Sequence, residues 1–591
     1  MVTTLSNLLL NTLEKYPKPD LMMVKKEGRY TPISTQEVGD TIKHFSLGLA
    51  ELGHGRGDKL IILSENRPEW IMVDLAGQCL GGVTVPIYTT LVPEQVKYII
   101  NDSDAVTVVV SNALQWRKVE AVRGDLPGVR RFITLAVESP AAGVLTMAEV
   151  LAKGRAAAAA EPSRFEKLAR TVQPEDEASI IYTSGTTGLP KGVILTHSNL
   201  VSNVTAVSTI LAFSDKDTVL SFLPLSHILE RMVTYTYLYK GCSIAYAESI
   251  ETVAENLLEV RPHIMVSAPR VFEKIYAKVM DTVLASPGLR RKIFFWGLKV
   301  GKAASVRKLA GRPTGGFKLR LAEKLVFSKI IAQTGGRVRF FVSGGAPLSR
   351  DIAEFFHAIG LTILEGYGLT ETSPVISTNT FEKLRFGSVG PVMPGVQVKI
   401  APDGEILAKG PNVMKGYYKK PVETRDVFTE DGWFKTGDIG VLDGEGMLTI
   451  TDRKKDLIVT AGGKNVAPQP IENILKTSPY ITNAVVVGDR RRFISALIVP
   501  NFEKLEGYAK FSRIPFADRA ALVRNEQIIG FLLSEIDRAT TQLAPYEKVK
   551  KIVVLDRDFE IEQGEITPSL KIKRAIVEDK YKGLLDGLYR E

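Results

Sequence analysis

The chain is poor in the residues that crosslink proteins or hold soft metals. Only two cysteines, Cys79 and Cys242, occur among its 591 residues, and both lie in apolar context. That excludes a disulfide scaffold and fits buried thiols in a reducing compartment. Six scattered histidines give no zinc spacing with them. No run of 18 or more apolar residues is present, so no membrane-spanning helix is predicted. The first residues, Met1-Val-Thr-Thr-Leu-Ser, lack a basic stretch ahead of their leucines, so no secretory signal is expected. Internal repeats and long low-complexity tracts are also missing. What remains is a composition of 45% hydrophobic and 24% charged residues, that of a globular protein too long for a single ordinary core.

Acidic residues are nearly missing from one segment. Residues 290–329 hold twelve Lys/Arg and a single acid, Glu323, so this stretch accounts for the chain's net charge of +10. Ile293, Phe294, Phe295, Trp296, Leu298, Val300, Leu309 and Leu319 are interleaved with the cations. Such a segment suits a membrane-surface helix or an acidic ligand. It equally suits an amphipathic arm packed on its own domain. No nucleic-acid-binding motif accompanies the charge, and no nucleic-acid partner is expected.

The first 120 residues alternate short apolar strands (58–63, 83–86, 105–110) with helices (70–80, 92–101). This is the β-α-β-α-β order of a mainly parallel sheet. The alternation continues from about residue 179 to 390. From 392 to 450 it gives way to short strands punctuated by Pro402-Asp-Gly404 and Asp443-Gly444, a pattern for a small barrel-like subdomain. After the charged run Asp452-Arg-Lys-Lys-Asp456 the chain has strands of its own at 484–487, 494–499 and 551–555. The expected organisation is α/β. A large N-terminal domain, 1–454, has two parallel-type sheets with helices and a small β-barrel. A smaller α+β C-terminal domain spans 455–591.

One string carries more chemistry than any other: Tyr182-Thr-Ser-Gly-Thr-Thr-Gly-Leu-Pro-Lys-Gly192. Glycines let backbone N–H groups approach a ligand, hydroxyls donate hydrogen bonds, and the lysine adds a point charge. Apolar residues 179–181 precede it as a strand end. A strand at 193–195 and a helix with Leu200, Val201, Val204 and Val207 on one face follow. Composition alone also permits a plain loop. The string is not a Walker A loop, because Pro190 occupies the place of the second glycine.

Four further strings lie downstream: Gly366-Tyr-Gly-Leu-Thr-Glu371, Trp433-Phe-Lys-Thr-Gly-Asp438, Asp452-Arg-Lys-Lys-Asp-Leu-Ile458 and Thr567-Pro-Ser-Leu-Lys571. In order and spacing the five resemble the adenylate-forming superfamily, which includes acyl-CoA synthetases, luciferases and peptide-synthetase adenylation domains. The stretch 431–455, the string Leu223-Pro-Leu-Ser-His-Ile-Leu-Glu-Arg231 and the basic insertion before Ser343-Gly-Gly-Ala-Pro347 further resemble long-chain fatty acyl-CoA synthetases.

The resemblance implies a two-step ligase that takes ATP and coenzyme A as co-substrates, uses Mg²⁺, and activates a long-chain fatty acid. The alternative is a fatty acyl-AMP ligase that loads a carrier protein. Thr183, Ser184, Gly185, Thr186, Thr187, Gly188 and Lys191 would hold the β- and γ-phosphates. Tyr367 would stack on adenine with Gly368 beside it, Thr370 would contact the α-phosphate, and Glu371 would hold the metal. Gly344, Gly345 and Ala346 would pass backbone along the adenine and the acyl pocket. Asp438 would accept from the ribose hydroxyls, with Arg453 next to it.

Lys571 is the implied catalytic lysine of adenylation, although Ser569-Leu570-Lys571 replaces the more usual Ser-Gly-Lys, and Lys573 is the runner-up. Lys455 matches the family's hinge, and Gly462 and Gly463 sit in the loop expected to face coenzyme A. His227 borders the acyl site in relatives; the residues alone equally allow a satisfied core histidine. The stretch 223–229 has no acid to hold an amino group, which argues against an amino-acid substrate. The expected location is the cytoplasm, with peripheral contact at the inner membrane surface through 290–329.

Overall fold

Two eight-stranded sheets, with apolar buried strands at their centres, form the bulk of the molecule. The computed structural model describes residues 2–137, 141–183, 189–560, 563–567 and 572–590. In the first sheet Lys59–Leu63 pairs in parallel with Val83–Ile87 on one side and Ala105–Val110 on the other. Arg131–Thr134 and Val144–Thr146 extend it in the same sense. These strands read as near-continuous apolar runs because helices cover both faces, as parallel sheets require. The helices Pro68–Gln78 and Pro93–Asp102 fall where the sequence places them. A run of alanines, 156–160, ends the helix Met147–Ala160.

The far edge of this sheet is antiparallel. Glu177–Thr183 and Lys191–Thr196 form a hairpin, with Tyr182 opposite Gly192 and Thr183 opposite Lys191. The edge is closed by a two-residue strand from much later in the chain, Gly416–Tyr417.

The second sheet runs, in spatial order, Val375–Thr378, Thr362–Gly368, Phe340–Ser343, Ile264–Ser267, Thr218–Ser221, Ser243–Tyr246, Met22–Lys26, Arg29–Ile33. Its centre is parallel and both its edges are antiparallel. A buried ionic cluster ties the two sheets together. Arg231, on the helix Ile228–Tyr239, is fully buried and contacts Asp74 of Pro68–Gln78 through both Nε, at 3.1 Å, and Nη2, at 2.5 Å. Its Nη1 donates to Ser179 Oγ on the first sheet at 2.6 Å. Each nitrogen of this guanidinium thus meets an oxygen, the condition under which a buried charge is tolerated.

The region expected to be a small barrel is a five-stranded antiparallel sheet with two ends, in the order Gly390–Pro391, Met447–Arg453, Phe434–Leu442, Glu405–Lys409, Gln397–Ile400. Its register shifts between Ile439 and Gly440 and between Glu405 and Leu407. Among the described residues the pairing does not close.

Beyond residue 455 the chain has apolar cores of its own. Ile481–Val487, Ile494–Pro500 and Val549–Val554 form a three-stranded mixed sheet. Ile471, Leu505, Ile528 and Leu532 pack on one side of it, and Phe559, Val577 and Leu585 on the other.

The basic segment is helical: Gly288–Leu309, then Phe317–Ala322, a π turn Glu323–Phe327, and Ser328–Ala332. Phe294, Gly297, Gly301 and Ser305 form the buried stripe of the long helix. A Cβ at Gly301 would lie 2.2 Å from the Ala358 carbonyl oxygen, so only glycine permits this approach. Ser305 Oγ lies 2.6 Å from His357 Nδ1. The opposite side is exposed and carries Leu289, Phe295, Val306 and Leu309, with Phe317 81% exposed just beyond. The arm therefore packs on its own domain and still presents an apolar, basic face. No helix among the described residues is long and apolar enough to cross a membrane.

Candidate active site

The side of the site expected to take the nucleoside is assembled by strand register. Asp438 and Arg453 lie fifteen residues apart in sequence but directly opposite one another on antiparallel strands. Arg453 Nε is 3.1 Å from Asp438 Oδ1. The hydroxyl of Tyr367, at the end of Thr362–Gly368, donates to Asp438 Oδ2 at 2.7 Å. Asp438 is only 4% exposed, so these two donors do what water would do elsewhere. Burial and the adjacent Asp438 carboxylate hold the Tyr367 phenol well above its ordinary pKa, so it stays protonated as a donor. Gly368 is tightly confined: a Cβ there would lie 1.7 Å from the Pro374 carbonyl oxygen.

Gly344, Gly345 and Ala346 follow the strand Phe340–Ser343. The Gly344 N–H donates to the Ser267 carbonyl at 3.1 Å, and a Cβ on Gly344 would sit 3.0 Å from Leu229 Cδ2. Gly345 adopts φ +82°, the left-handed region that suits glycine. Leu229 belongs to the turn that begins at His227. The His227 side chain caps the helix Ile228–Tyr239, its Nδ1 accepting from the Leu229 N–H at 3.2 Å. His227 is half-buried. In the following turn Glu230 is buried, and its Oε1 accepts from Ser221 Oγ at 2.5 Å. Burial pushes the Glu230 carboxyl up to about 8. Glu365, buried beside Tyr367, is likewise pushed up to about 8 by burial.

The side expected to take the phosphates begins at the hairpin. Thr183 Oγ1 donates to the Lys191 carbonyl at 3.5 Å. Ser184, Gly185, Thr186, Thr187 and Gly188 lie outside the described residues. Lys191 Nζ sits over the ring of Tyr417, 5.4 Å from its centroid. The Tyr417 hydroxyl donates to Glu371 Oε1 at 2.9 Å. Glu371 is in the short 3₁₀ turn Thr370–Thr372, and its carbonyl accepts from the Met414 N–H at 2.8 Å. Burial raises the Glu371 carboxyl above its ordinary value, while the Tyr417 hydrogen bond works the other way. Thr370 is half-buried next to it.

The structure thus gathers Tyr367, Asp438 and Arg453 into one cluster and Lys191 and Glu371 into another. The other expected residues are placed differently. Lys455 is exposed, while its neighbour Lys454 pairs with Asp403 at 2.6 Å and Glu405 at 2.7 Å. Asp452 is buried and accepts from the N–H of Gln469 at 3.1 Å, capping the helix Pro468–Leu475. Burial pushes the Asp452 carboxyl up to about 6. Gly462 and Gly463 lie in the turn between Ile458–Val459 and Asn465–Val466, where Gly463 has φ +72° and donates to the Thr460 carbonyl at 2.8 Å. Lys571 lies outside the described residues; nearby, Ile566 and Ile572 form an antiparallel bridge and the Lys573 N–H donates to the Glu565 carbonyl at 2.7 Å. Tyr417 was not among the residues the strings single out. Its only signal was a glycine followed by two tyrosines, Gly416-Tyr417-Tyr418.

The chain belongs to the AMP-binding enzyme family, whose model matches residues 11–418. The model for the AMP-binding enzyme C-terminal domain matches residues 455–591. Its relatives are specific in what they are named for. A long-chain-fatty-acid–CoA ligase of Mycobacterium bovis is 36% identical over 97% of this chain and 95% of its own length. The peroxisomal long chain acyl-CoA synthetase 6 of Arabidopsis thaliana is 33% identical over 95% of this chain and 82% of its own. Among solved structures, the adenylation domain of a carboxylate reductase from Mycobacterium chelonae superposes with a TM-score of 0.74. It is 23% identical and covers 100% of this chain and 91% of that one; at that identity the likeness concerns the fold.

Proposed function

We infer that the chain is an AMP-forming long-chain fatty acid–CoA ligase. The observation that carries this reading is the pair of clusters just described, one suited to a nucleoside and one to a polyphosphate, in a chain with full-length relatives named for this activity. In the first half-reaction a fatty carboxylate oxygen attacks the α-phosphorus of ATP. A P–O bond forms to the acid, and the bond to pyrophosphate breaks. In the second, the coenzyme A sulfur attacks the acyl carbonyl carbon. The thiol proton is lost to solvent or base, and AMP departs with the electron pair of the C–O bond. Both steps build negative charge on oxygen, which positioned cations and N–H donors stabilise.

Asp438 would accept from the ribose hydroxyls, displacing part of its present bond to Tyr367 and freeing that ring to stack on adenine. Arg453 would hold the Asp438 carboxylate in orientation. Lys191 and the hairpin loop 183–188 would hold the β- and γ-phosphates, and Thr370 the α-phosphate. Glu371 fits a magnesium ligand: it is a half-buried oxygen donor whose carboxyl is raised above its ordinary value by desolvation, so a cation would compensate its charge. Among the described residues no group of three or more His, Cys, Asp or Glu could hold a metal. Phosphate oxygens and water would therefore supply the remaining ligands, as is usual for Mg²⁺. When bound, the ion would offset phosphate charge.

Lys571 is the proposed adenylation lysine, bridging carboxylate and α-phosphate. The chain is proposed to divide into domains 1–454 and 455–591, with rotation at Lys455. That rotation would exchange Lys571 for the turn bearing Gly462 and Gly463 between the two half-reactions. His227 and Leu229 would border the acyl site beside Gly344. Residues 290–329 are proposed to rest on an anionic bilayer surface, since the arm's exposed apolar side is ringed by cations.

The test is palmitate with ATP, Mg²⁺ and coenzyme A, following AMP and the thioester. Pyrophosphate exchange without thioester would transfer the reading to a carrier-protein ligase, and no exchange with any fatty acid would remove it. Lys571→Ala should abolish adenylation and spare thioester formation from supplied acyl-adenylate.

A further inference from the structure

Lys191 and Glu371 pose a problem that their own chemistry does not solve. One is a cation and the other an acid, and both face the same proposed polyphosphate site. Left alone, opposite charges in a partly buried site close on each other, and each would then mask the group the ligand needs. The structure places one residue between them. Tyr417 offers the negative face of its ring to Lys191 Nζ and its hydroxyl hydrogen to Glu371 Oε1. Each charge meets the half of the tyrosine that suits it.

The backbone of this tyrosine is fixed from several directions. Tyr417 pairs with Val193 and Gly416 with Ile194, on the strand that begins at Lys191. The Tyr418 N–H donates to the Gly192 carbonyl at 2.7 Å, and the Tyr417 N–H to Thr424 Oγ1 at 2.9 Å. Three residues earlier, the Met414 N–H holds the Glu371 carbonyl. The segment 414–418 therefore grips both the strand of Lys191 and the turn of Glu371. We propose that Tyr417 is a positioning residue that sets Lys191 and Glu371 at a fixed separation across the polyphosphate site. The proposal rests on the reading of that site given above. Tyr417 itself touches neither reacting atom; it acts through the two residues it holds.

Two substitutions separate the roles of ring and hydroxyl. Tyr417→Phe keeps the ring beneath Lys191 and removes the bond to Glu371. Tyr417→Leu removes both. Equilibrium binding of ATP is measured by titration calorimetry without metal and across a magnesium series, alongside KM and kcat for ATP. Tyr417→Phe should leave metal-free ATP affinity within about twofold and raise the magnesium needed for half-maximal binding about tenfold, the loss of one hydrogen bond to a charged group. Tyr417→Leu should also weaken metal-free ATP binding by about threefold or more, as the cation–π contact is lost. In a Glu371→Gln background, Tyr417→Phe should bring no further change in magnesium dependence. If Tyr417→Leu does not fold, the Phe variant and the Glu371→Gln cycle decide. An unchanged magnesium dependence in Tyr417→Phe, or an equal effect in the Glu371→Gln background, would overturn the proposal while the parent still binds ATP with magnesium. A parent that binds no ATP would overturn the site reading and this proposal with it.

Discussion

Glu230→Gln should make the protein more stable, by a margin that grows as pH rises from 4.5 toward 8. Glu230 is 1% exposed and bonded to Ser221, and burial raises its carboxyl from an ordinary 4.5 to about 8. Between those values the folded chain keeps a proton that the unfolded chain has released. A raised folded pKa contributes stability that is complete below pH 4.5 and is lost as pH rises through 8. At about 1.4 kcal/mol per unit, the loss is about 5 kcal/mol over the whole window and about 3 kcal/mol by pH 7. Glutamine preserves the shape and the acceptor for Ser221 but cannot ionise. The variant should match the parent within about 1 kcal/mol at pH 5 and exceed it by about 4 kcal/mol at pH 8. For a cooperative unit of roughly 450 residues, with about 2.1 cal/mol/K of unfolding entropy per residue, that is about 4 °C in Tm. Scanning calorimetry of both proteins from pH 5 to 8.5, at one scan rate and ionic strength, reads the difference. Parallel pH profiles would refute the reasoning, because they would mean that Glu230 ionises at the same pH whether folded or unfolded.

Three other outcomes follow from the same structure. Gly368→Ala forces a Cβ toward the Pro374 carbonyl oxygen and should reduce adenylation at least about a hundredfold in a pyrophosphate-exchange assay; a loss under threefold would contradict the confinement. His197 is fully buried, accepts from the Leu5 N–H, and is held neutral by burial with its pKa lowered to about 4. Its share of stability, about 3 kcal/mol, is therefore lost as pH falls from 6.5 toward 4, and His197→Gln should flatten that part of a Tm-against-pH curve. Lys299, Lys302 and Lys318 are exposed on the basic arm. Changing all three to Glu should abolish binding to vesicles containing anionic lipid, and raising the salt from 0.1 to 0.5 M should weaken the parent's binding several-fold; salt-insensitive binding would remove the arm from the interaction.

Three strands of the parallel part of the first sheet were legible almost to the residue, while Arg131–Thr134 and Val144–Thr146 were not marked. A strand buried on both faces is a plain apolar run, and 105–110 was delimited as it is found. Short antiparallel strands were less so. Residues 392–450 announce turns through Pro402-Asp-Gly404, but closure into a barrel depends on which edges meet, and the turns do not encode that. The strings named Tyr367, Asp438 and Arg453, yet nothing in them says that strand register sets Asp438 opposite Arg453 or that Tyr367 donates to it. Tyr417 escaped because a two-residue strand has no periodicity to detect. The Arg231–Asp74–Ser179 cluster escaped because its members come from three distant elements, and Arg231 sits where a surface charge would be the ordinary expectation.

The short strand Gly416–Tyr417 also has a consequence for how the protein is made. The hairpin ending at Thr196 emerges from the ribosome well before the two residues that cover its edge. At about 5–20 residues per second, the roughly 220 residues between them take about 10–45 s to synthesise. Throughout that interval the nascent first sheet has an unpaired strand edge able to join a neighbouring chain. Late arrival of two residues thus sets the period in which a growing chain of this protein carries that open edge.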